Sequence, residues 1–276
     1  MLMQRIWTAV ALLFIIIGSL YVSNEAFLVM MAIGFGITLG EWLLIAKCSK
    51  TSAFVSGTAL AALCSALVCN QIVPDGQWFK LLLGAVSLLW LAVLIVCILK
   101  RHVGFGLPRA VNIGCAYAIT PIAWLCLAWL IQTGGWALML SVFMIVWLAD
   151  VCAYFAGRAF GKRKMAPAIS PKKTWAGAVG AVVCVFGAAL LARAFLPADV
   201  VYTSILFDRI GLVGAFVVVF LLVAVSIAGD LFESALKRQA DIKDSSNLLP
   251  GHGGFFDRLD AALAVLPVAV ATLVWF

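Results

Sequence analysis

The residues with the most chemistry to offer gather in the last third of this 276-residue chain. Asp230, Ser234, Lys237 or Arg238, and Asp241 recur at i, i+4, i+7/8 and i+11, so a helix through them would carry all of them on one face. Magnesium takes one or two carboxylates together with phosphate oxygens and water, and Lys and Arg neutralise the phosphate charge that remains. A face mixing carboxylates and cations therefore suits a metal and a phosphate together, although a solvated, salt-bridged helix face has the same composition. Lys243 and Asp244 follow, then Pro250-Gly251-His252-Gly253-Gly254, which cannot be helical and leaves the backbone free to approach an anion closely. Asp257, Arg258 and Asp260 close the cluster. The two aspartates also suit a helix N-terminus, where negative charge opposes the dipole.

A second polar stretch contains Gly157, Arg158, Gly161 and Lys162, then Ser170-Pro171-Lys172-Lys173-Thr174. The G-K-[ST] spacing of a P-loop is missing. Two lysines beside two hydroxyls could hold a triphosphate, or could be a basic flank that sets topology. Glu41 and Asp150 lie inside apolar runs, where acids are costly and usually functional, unless each merely pairs with a base.

These residues need elements to position them, and composition says what kind. The chain is 65% hydrophobic and 11% charged, against roughly 45–50% and 25% in soluble domains. A soluble fold of this length could not hide so much apolar surface. The expected fold is all-α, a polytopic transmembrane helix bundle of about nine spans: 6–22, 26–46, 53–68, 78–99, 112–131, 136–156, 175–196, 210–228 and 261–276. The first span carries one Arg ahead of it and no A-x-A-like site, which favours a retained helix over a signal peptide.

Orientation follows from Lys and Arg. With the N-terminus inside, the inside loops hold Arg5, Lys47, Lys50, Lys100, Arg101, Arg109, the six bases between Arg158 and Lys173, Lys237, Arg238, Lys243 and Arg258. Only Lys80, Arg193 and Arg209 of the 19 bases fall outside, and the C-terminus is outside. Two regions result: 1–135 with spans one to five, and 136–276 with the cytosolic loops 157–174 and 229–260 and the catalytic residues. Glu41 then lies about fifteen residues, some 22 Å, down an inward-running helix, near the inner interface. Asp150 reaches a similar depth. Asp230 ends the eighth span and Asp257 opens the ninth, so an antiparallel pair brings them to one level.

The eight cysteines form no C-x-x-C pair and fall mostly inside apolar runs, which reads as buried packing. With only His102 and His252, a zinc site has no basis. The net charge of +7 comes without aromatic-interleaved basic stretches. That speaks for anionic lipid headgroups and phosphate substrates and against nucleic acid.

Read together, Ser234, Lys237-Arg238, Lys243-Asp244, Pro250, His252-Gly253-Gly254 and Asp257-Arg258-Leu259-Asp260 resemble the C-terminal motif of the phosphatidate cytidylyltransferases, S-x-x-K-R-x(4)-K-D…H-G-G-x-x-D-R-x-D, without insertion or gap. Asp150, Tyr154, Gly157, Gly161, Ser170 to Trp175 and Gly177 also resemble that family. One departure is Ala176, where the family often has an acidic or amide residue. The compact length resembles the bacterial members.

The resemblance implies formation of CDP-diacylglycerol and pyrophosphate from CTP and phosphatidate, at the cytosolic face of the inner membrane, with a divalent metal. On that basis Asp230 and Asp257 would be ligands of Mg2+, with room for a second cation. Lys237, Arg238, Lys243 and Arg258 would hold phosphates, and Lys172 and Lys173 the triphosphate. Asp244 and His252 would orient substrate or water, and Asp150, Ser170, Thr174, Ser234, Gly253, Gly254 and Asp260 would complete the substrate site. The attacking phosphate is already anionic, so no general base is required. A homodimer is a further implication, for which the residues themselves offer no argument. A transporter would instead show paired broken helices near the midplane. The D-G-x(2)-A-R pattern of the CDP-alcohol phosphotransferases is absent.

Overall fold

A computed structural model describes residues 2–100 and 106–276. Arg101 and His102 lie outside the described residues, as does the side chain of Arg5. Eight helices occur in the order α1 (Leu2–Val22), α2 (Asn24–Ile45), α3 (Lys50–Cys69), α4 (Gly76–Leu99), α5 (Arg109–Phe160), α6 (Trp175–Phe195), α7 (Tyr202–Gln239) and α8 (Phe256–Trp275). Seven of them, all but α1, are long and apolar enough to cross a membrane.

The expected spans 112–131 and 136–156 are continuous with each other in α5, apart from a break at Gly135. A straight helix of its 52 residues would run about 78 Å, more than twice a hydrocarbon core of roughly 30 Å. Gly135 has φ 70° and ψ −172°, a backbone state that side chains exclude, and there the chain turns back. The reversal is visible in the contacts of its two halves. Arg109 donates to the Lys47 carbonyl, Asn112 accepts from Trp42, and Gly157 packs on the Thr174 hydroxyl, all at the polar end of the bundle. Ser141, shortly after the break, accepts from the Tyr202 amide at the opposite end.

That opposite end is closed by a hydroxyl pair, Tyr202 with Thr272, by Arg209 on the Leu273 carbonyl, and by the Arg193–Asp208 ion pair. Thr8 of α1 donates to the Pro250 carbonyl, so α1 begins at the polar end while α8 finishes at the other. Close approach holds the first pair of long helices together. A Cβ at Gly36 would strike the Gly57 carbonyl, and one at Gly57 the Gly36 carbonyl. Small residues that let backbones touch are the usual device where lipid supplies no hydrophobic driving force. One apolar core joins both regions of the chain, with Trp42 stacked on Phe256 at 4.8 Å and Trp90 edge-on to Phe232.

Three boundaries differ from the sequence reading, and each matters for the site. The segment expected as loop 157–174 continues α5 to Phe160 and then folds into an antiparallel hairpin, β1 (Lys164–Ala166) and β2 (Ser170–Thr174), so the all-α bundle carries one small sheet. Met165, Ala166 and Ile169 bury against Cys97, Leu231 and Ala235, and that packing makes two short strands stable here. The helix of the eighth span follows a break at Gly211, close to its expected start at 210, but is preceded by a short helical segment from Tyr202 and runs on past 228 to Gln239. Asp241 lies beyond it at φ 58°, so the fourth member of the expected helical face is off the helix. Finally, α8 begins at Phe256, five residues before the expected span, which puts Asp257 and Asp260 inside its first turns.

Candidate active site

Glu41 organises the polar end. Its carboxylate is buried and accepts from the Ser245 hydroxyl at 2.9 Å, the Ser246 hydroxyl at 2.6 Å, the Phe256 amide at 2.8 Å and the Phe255 amide at 3.2 Å. The last two amides are orphan donors at the start of α8, which a carboxylate satisfies with charge as well as geometry. Among the described residues Glu41 therefore pairs with no base. It clamps α2 to the loop before α8.

Asp257 extends this clamp. Its Oδ2 accepts from the Gly254 amide at 2.7 Å and from both the amide and the hydroxyl of Ser245 at 2.9 Å. Its Oδ1 takes the Lys237 ammonium at 2.6 Å, which also reaches Glu233 at 2.7 Å. The glycines of the expected anion loop close on these acids. Gly253, at φ 81°, lies against Asp257, and a Cβ on Gly254 would collide with Ser245 and with both oxygens of Glu41. Arg258 donates through Nε and a terminal nitrogen to the His252 carbonyl, at 3.0 and 2.7 Å, and so braces the same loop from outside. His252 Nδ1 is buried without a partner.

The second half of the site is more open. Thr174 caps α6 by accepting from the Gly177 amide at 3.1 Å, and its hydroxyl is enclosed by Gly157, Gly161 and Gly177. Those glycines give β2 a fixed seat. Successive residues of a strand face opposite ways, so Lys172 points out to solvent while Lys173 reaches Asp230 at 2.7 Å. Asp230 also accepts from Ser234, at 3.3 Å.

Sequence reasoning put Asp230 level with Asp257. Across the α7–α8 contact, Gly229 lies on Asp260 and Ala261, while Asp257 meets Glu233 and Lys237 one turn further along. Asp260 lies within electrostatic reach of Asp230, Lys173 and Asp150. Asp150, Asp230, Asp260, Glu233 and Asp257 thus form one array, threaded by two ammonium groups. Lys172, Arg238, Lys243 and Asp244 lie exposed around it with no ion pair among the described residues, and Ser170 sits half-buried at the start of β2.

Two kinds of residue were missed from the sequence. Ser245 and Ser246 fix both Glu41 and Asp257, and their only signal is a polar turn after Asp244. Glu41 was noted for its depth, but its partners lie more than 200 positions away, beyond any spacing rule.

The donor set is oxygen only, with more carboxylates than ammonium groups, and Glu233 is buried against Asp257 and Lys237. That chemistry fits a hard divalent cation. Among the described residues no three His, Cys, Asp or Glu side chains form a ready metal cage. This is compatible with magnesium, which uses few protein carboxylates and completes its shell with water and phosphate.

Comparison with known proteins agrees with the geometry. The chain is 38% identical to a phosphatidate cytidylyltransferase of Pseudomonas aeruginosa over 281 residues, which is 100% of this chain and 97% of that protein. It is 44% identical to the enzyme of that name from Haemophilus influenzae over 133 residues, 48% of this chain and 44% of that one. The Bacillus subtilis counterpart is 41% identical over 133 residues, 48% of this chain and 46% of that one. Residues 3–276 match the description of a cytidylyltransferase family from end to end. With residues 3–276 matched to that family and 38% identity to a phosphatidate cytidylyltransferase over the whole chain, this protein belongs to the cytidylyltransferase family.

Proposed function

We propose that this chain transfers CMP from CTP to phosphatidate, giving CDP-diacylglycerol and pyrophosphate, at the cytosolic face of the cell membrane. The observation that carries the reading is the meeting of Lys173 with Asp230 beside Asp150 and Asp260, at the polar end of the apolar bundle. The relatives' name supplies the substrates. Nine crossings, with α5 crossing twice and the shorter apolar α1 counted as a span, would put the polar end and its many bases in the cytosol, where positive charge accumulates.

A phosphate oxygen of phosphatidate attacks the α-phosphorus of CTP. The bond from that phosphorus to the bridging oxygen breaks, and pyrophosphate leaves in line with the electron pair. The lipid phosphate is already an anion, so the protein's task is placement and charge neutralisation. Asp230 and Asp257 would hold magnesium, with Asp260 beside Asp230; when bound, the ion supplies the positive charge that lets two phosphate groups approach. Lys173 and Lys237 now neutralise the carboxylates and stand where they can turn to phosphate oxygens. Lys172, Arg238 and Lys243 are exposed and uncommitted, as ligands for an incoming triphosphate must be. Thr174, Gly253, Gly254 and Arg258 act one step back, by holding the hairpin and the loop in place.

The test is purified protein with labelled CTP, phosphatidate and magnesium. A lipid-soluble cytidine product that disappears on chelation is expected. Uptake of a solute into proteoliposomes with no CTP consumed would replace the proposal with a transporter.

A further inference from the structure

An apolar groove of about 610 Å³ runs between α4, α6 and α7 and meets the polar array at one end. On α6 it extends from Trp175 to Gly187, and on α7 from Ile227 back to Phe216. The twelve and eleven helical rises between these ends cover about 18 and 16 Å, close to the roughly 15 Å of one leaflet's hydrocarbon. The polar end of the groove is marked by Trp175, which directly follows Lys173-Thr174, and by Ile227, one turn before Asp230. Its outer walls, such as Val179, Val183 and Phe220, are exposed on the bundle's side. The Trp175 indole N–H is buried yet has no hydrogen-bond partner, an uncommon and costly state for a donor. A second apolar groove, about 420 Å³ beside Trp136 and Leu196, lies at the opposite end and touches none of the acids.

We propose that the α4–α6–α7 groove seats one acyl chain of the lipid substrate, with the Trp175 N–H donating to the ester carbonyl that joins that chain to glycerol. The assignment rests on the cytidylyltransferase reading of the polar site and goes on to say where the lipid lies. A chain entering from the bilayer along Phe216 and Phe220 leaves its phosphate beside Lys173 and Asp230. The groove's depth then makes it a measure of acyl length.

Gly187 gives a clean way to block it. A Cβ there would meet nothing within 4 Å, so the branch point of Gly187→Phe is unobstructed beside the groove, and the substitution also removes a helix-weakening glycine. Gly114→Phe, equally free of neighbours and away from the groove, is the matched control. The measurement is the ratio of kcat/KM for dioleoyl over dihexanoyl phosphatidate in mixed micelles. Gly187→Phe should lower that ratio about tenfold, the size of a lost methylene contact or two, with KM for CTP unmoved. Gly114→Phe should leave it at the wild-type value. Trp175→Phe should lower kcat/KM for diacyl phosphatidate several-fold, again with CTP unaffected. Wild-type turnover with an unaltered ratio in Gly187→Phe overturns the groove assignment alone. Wild-type protein that converts neither lipid overturns the cytidylyltransferase reading, and the groove with it.

Discussion

Two lysines hold carboxylates at the polar end of this bundle, and they do so in different settings. Lys237 is sealed in, 13% exposed, between Glu233 at 2% and Asp257 at 7%. Lys173 and Asp230 are 21% and 29% exposed, and Asp230 has only one further partner, Ser234. The first assembly is anchored by Ser245, Gly254 and, through Ser245, Glu41, so its groups are held in fixed positions. The second sits on a hairpin and opens toward the solvent, so its carboxylate can exchange one cation for another. The comparison teaches that similar ion pairs a few turns apart can divide the work, one fixing the geometry and the other left free to use it.

The sharpest way to break this comparison is Asp230→Asn. Turnover should fall about a thousandfold, as expected when preorganised charge is lost from a reacting centre, with thermal stability in detergent unchanged. Activity near wild type would remove Asp230 from the chemistry. Next in size is Lys237→Ala, which strands two buried carboxylates and should destabilise the protein by about 3 kcal/mol, read as a lower unfolding midpoint. Lys173→Ala is its counterpart: a loss of at most about 1 kcal/mol in stability, since the pair is part-exposed, but a large loss of kcat. Equal stability costs for the two lysines would erase the distinction.

Glu41→Ala sharpens the architectural half. Three donors lose their acceptor, two of them at a helix N-terminus, while the Ser245 hydroxyl keeps Asp257, and about 2–3 kcal/mol of stability should go with them. A midpoint equal to wild type would show that the clamp is ornamental. The smallest effect is expected at the opposite end of the molecule. Arg193→Ala breaks an exposed pair with Asp208, 40% and 49% exposed, and should change stability by less than about 1 kcal/mol and turnover not at all.

Much of this was legible from residues alone. The apolar runs located the long helices to within a few positions, because a helix in lipid must satisfy its backbone internally and needs an unbroken apolar surface. The match of Ser234, Lys237, His252 and Asp257 to one motif pointed to phosphoryl chemistry before any coordinates. The hairpin was not legible: Lys164–Ala166 is three residues long and is stable only because Met165 and Ile169 bury against α4 and α7. Nor was the offset of one turn that sets Asp260, rather than Asp257, beside Asp230. An antiparallel pair can slide by a turn at no cost in sequence pattern, and only the fit of Gly229 on Asp260 and Ala261 chooses the register.

The division has a physical cause. Hydropathy, charge bias and the spacing of acids along one helix are properties of neighbouring residues, and the order of the chain determined them: many apolar helices, with a polar end rich in acids and bases. Glu41 reaching Ser245 and Phe256, and Lys173 reaching Asp230, join residues far apart in the chain through close packing. Those contacts depend on how helices touch, through glycines such as Gly254 and Gly177 that leave no room for a side chain, and only the tertiary structure decided them.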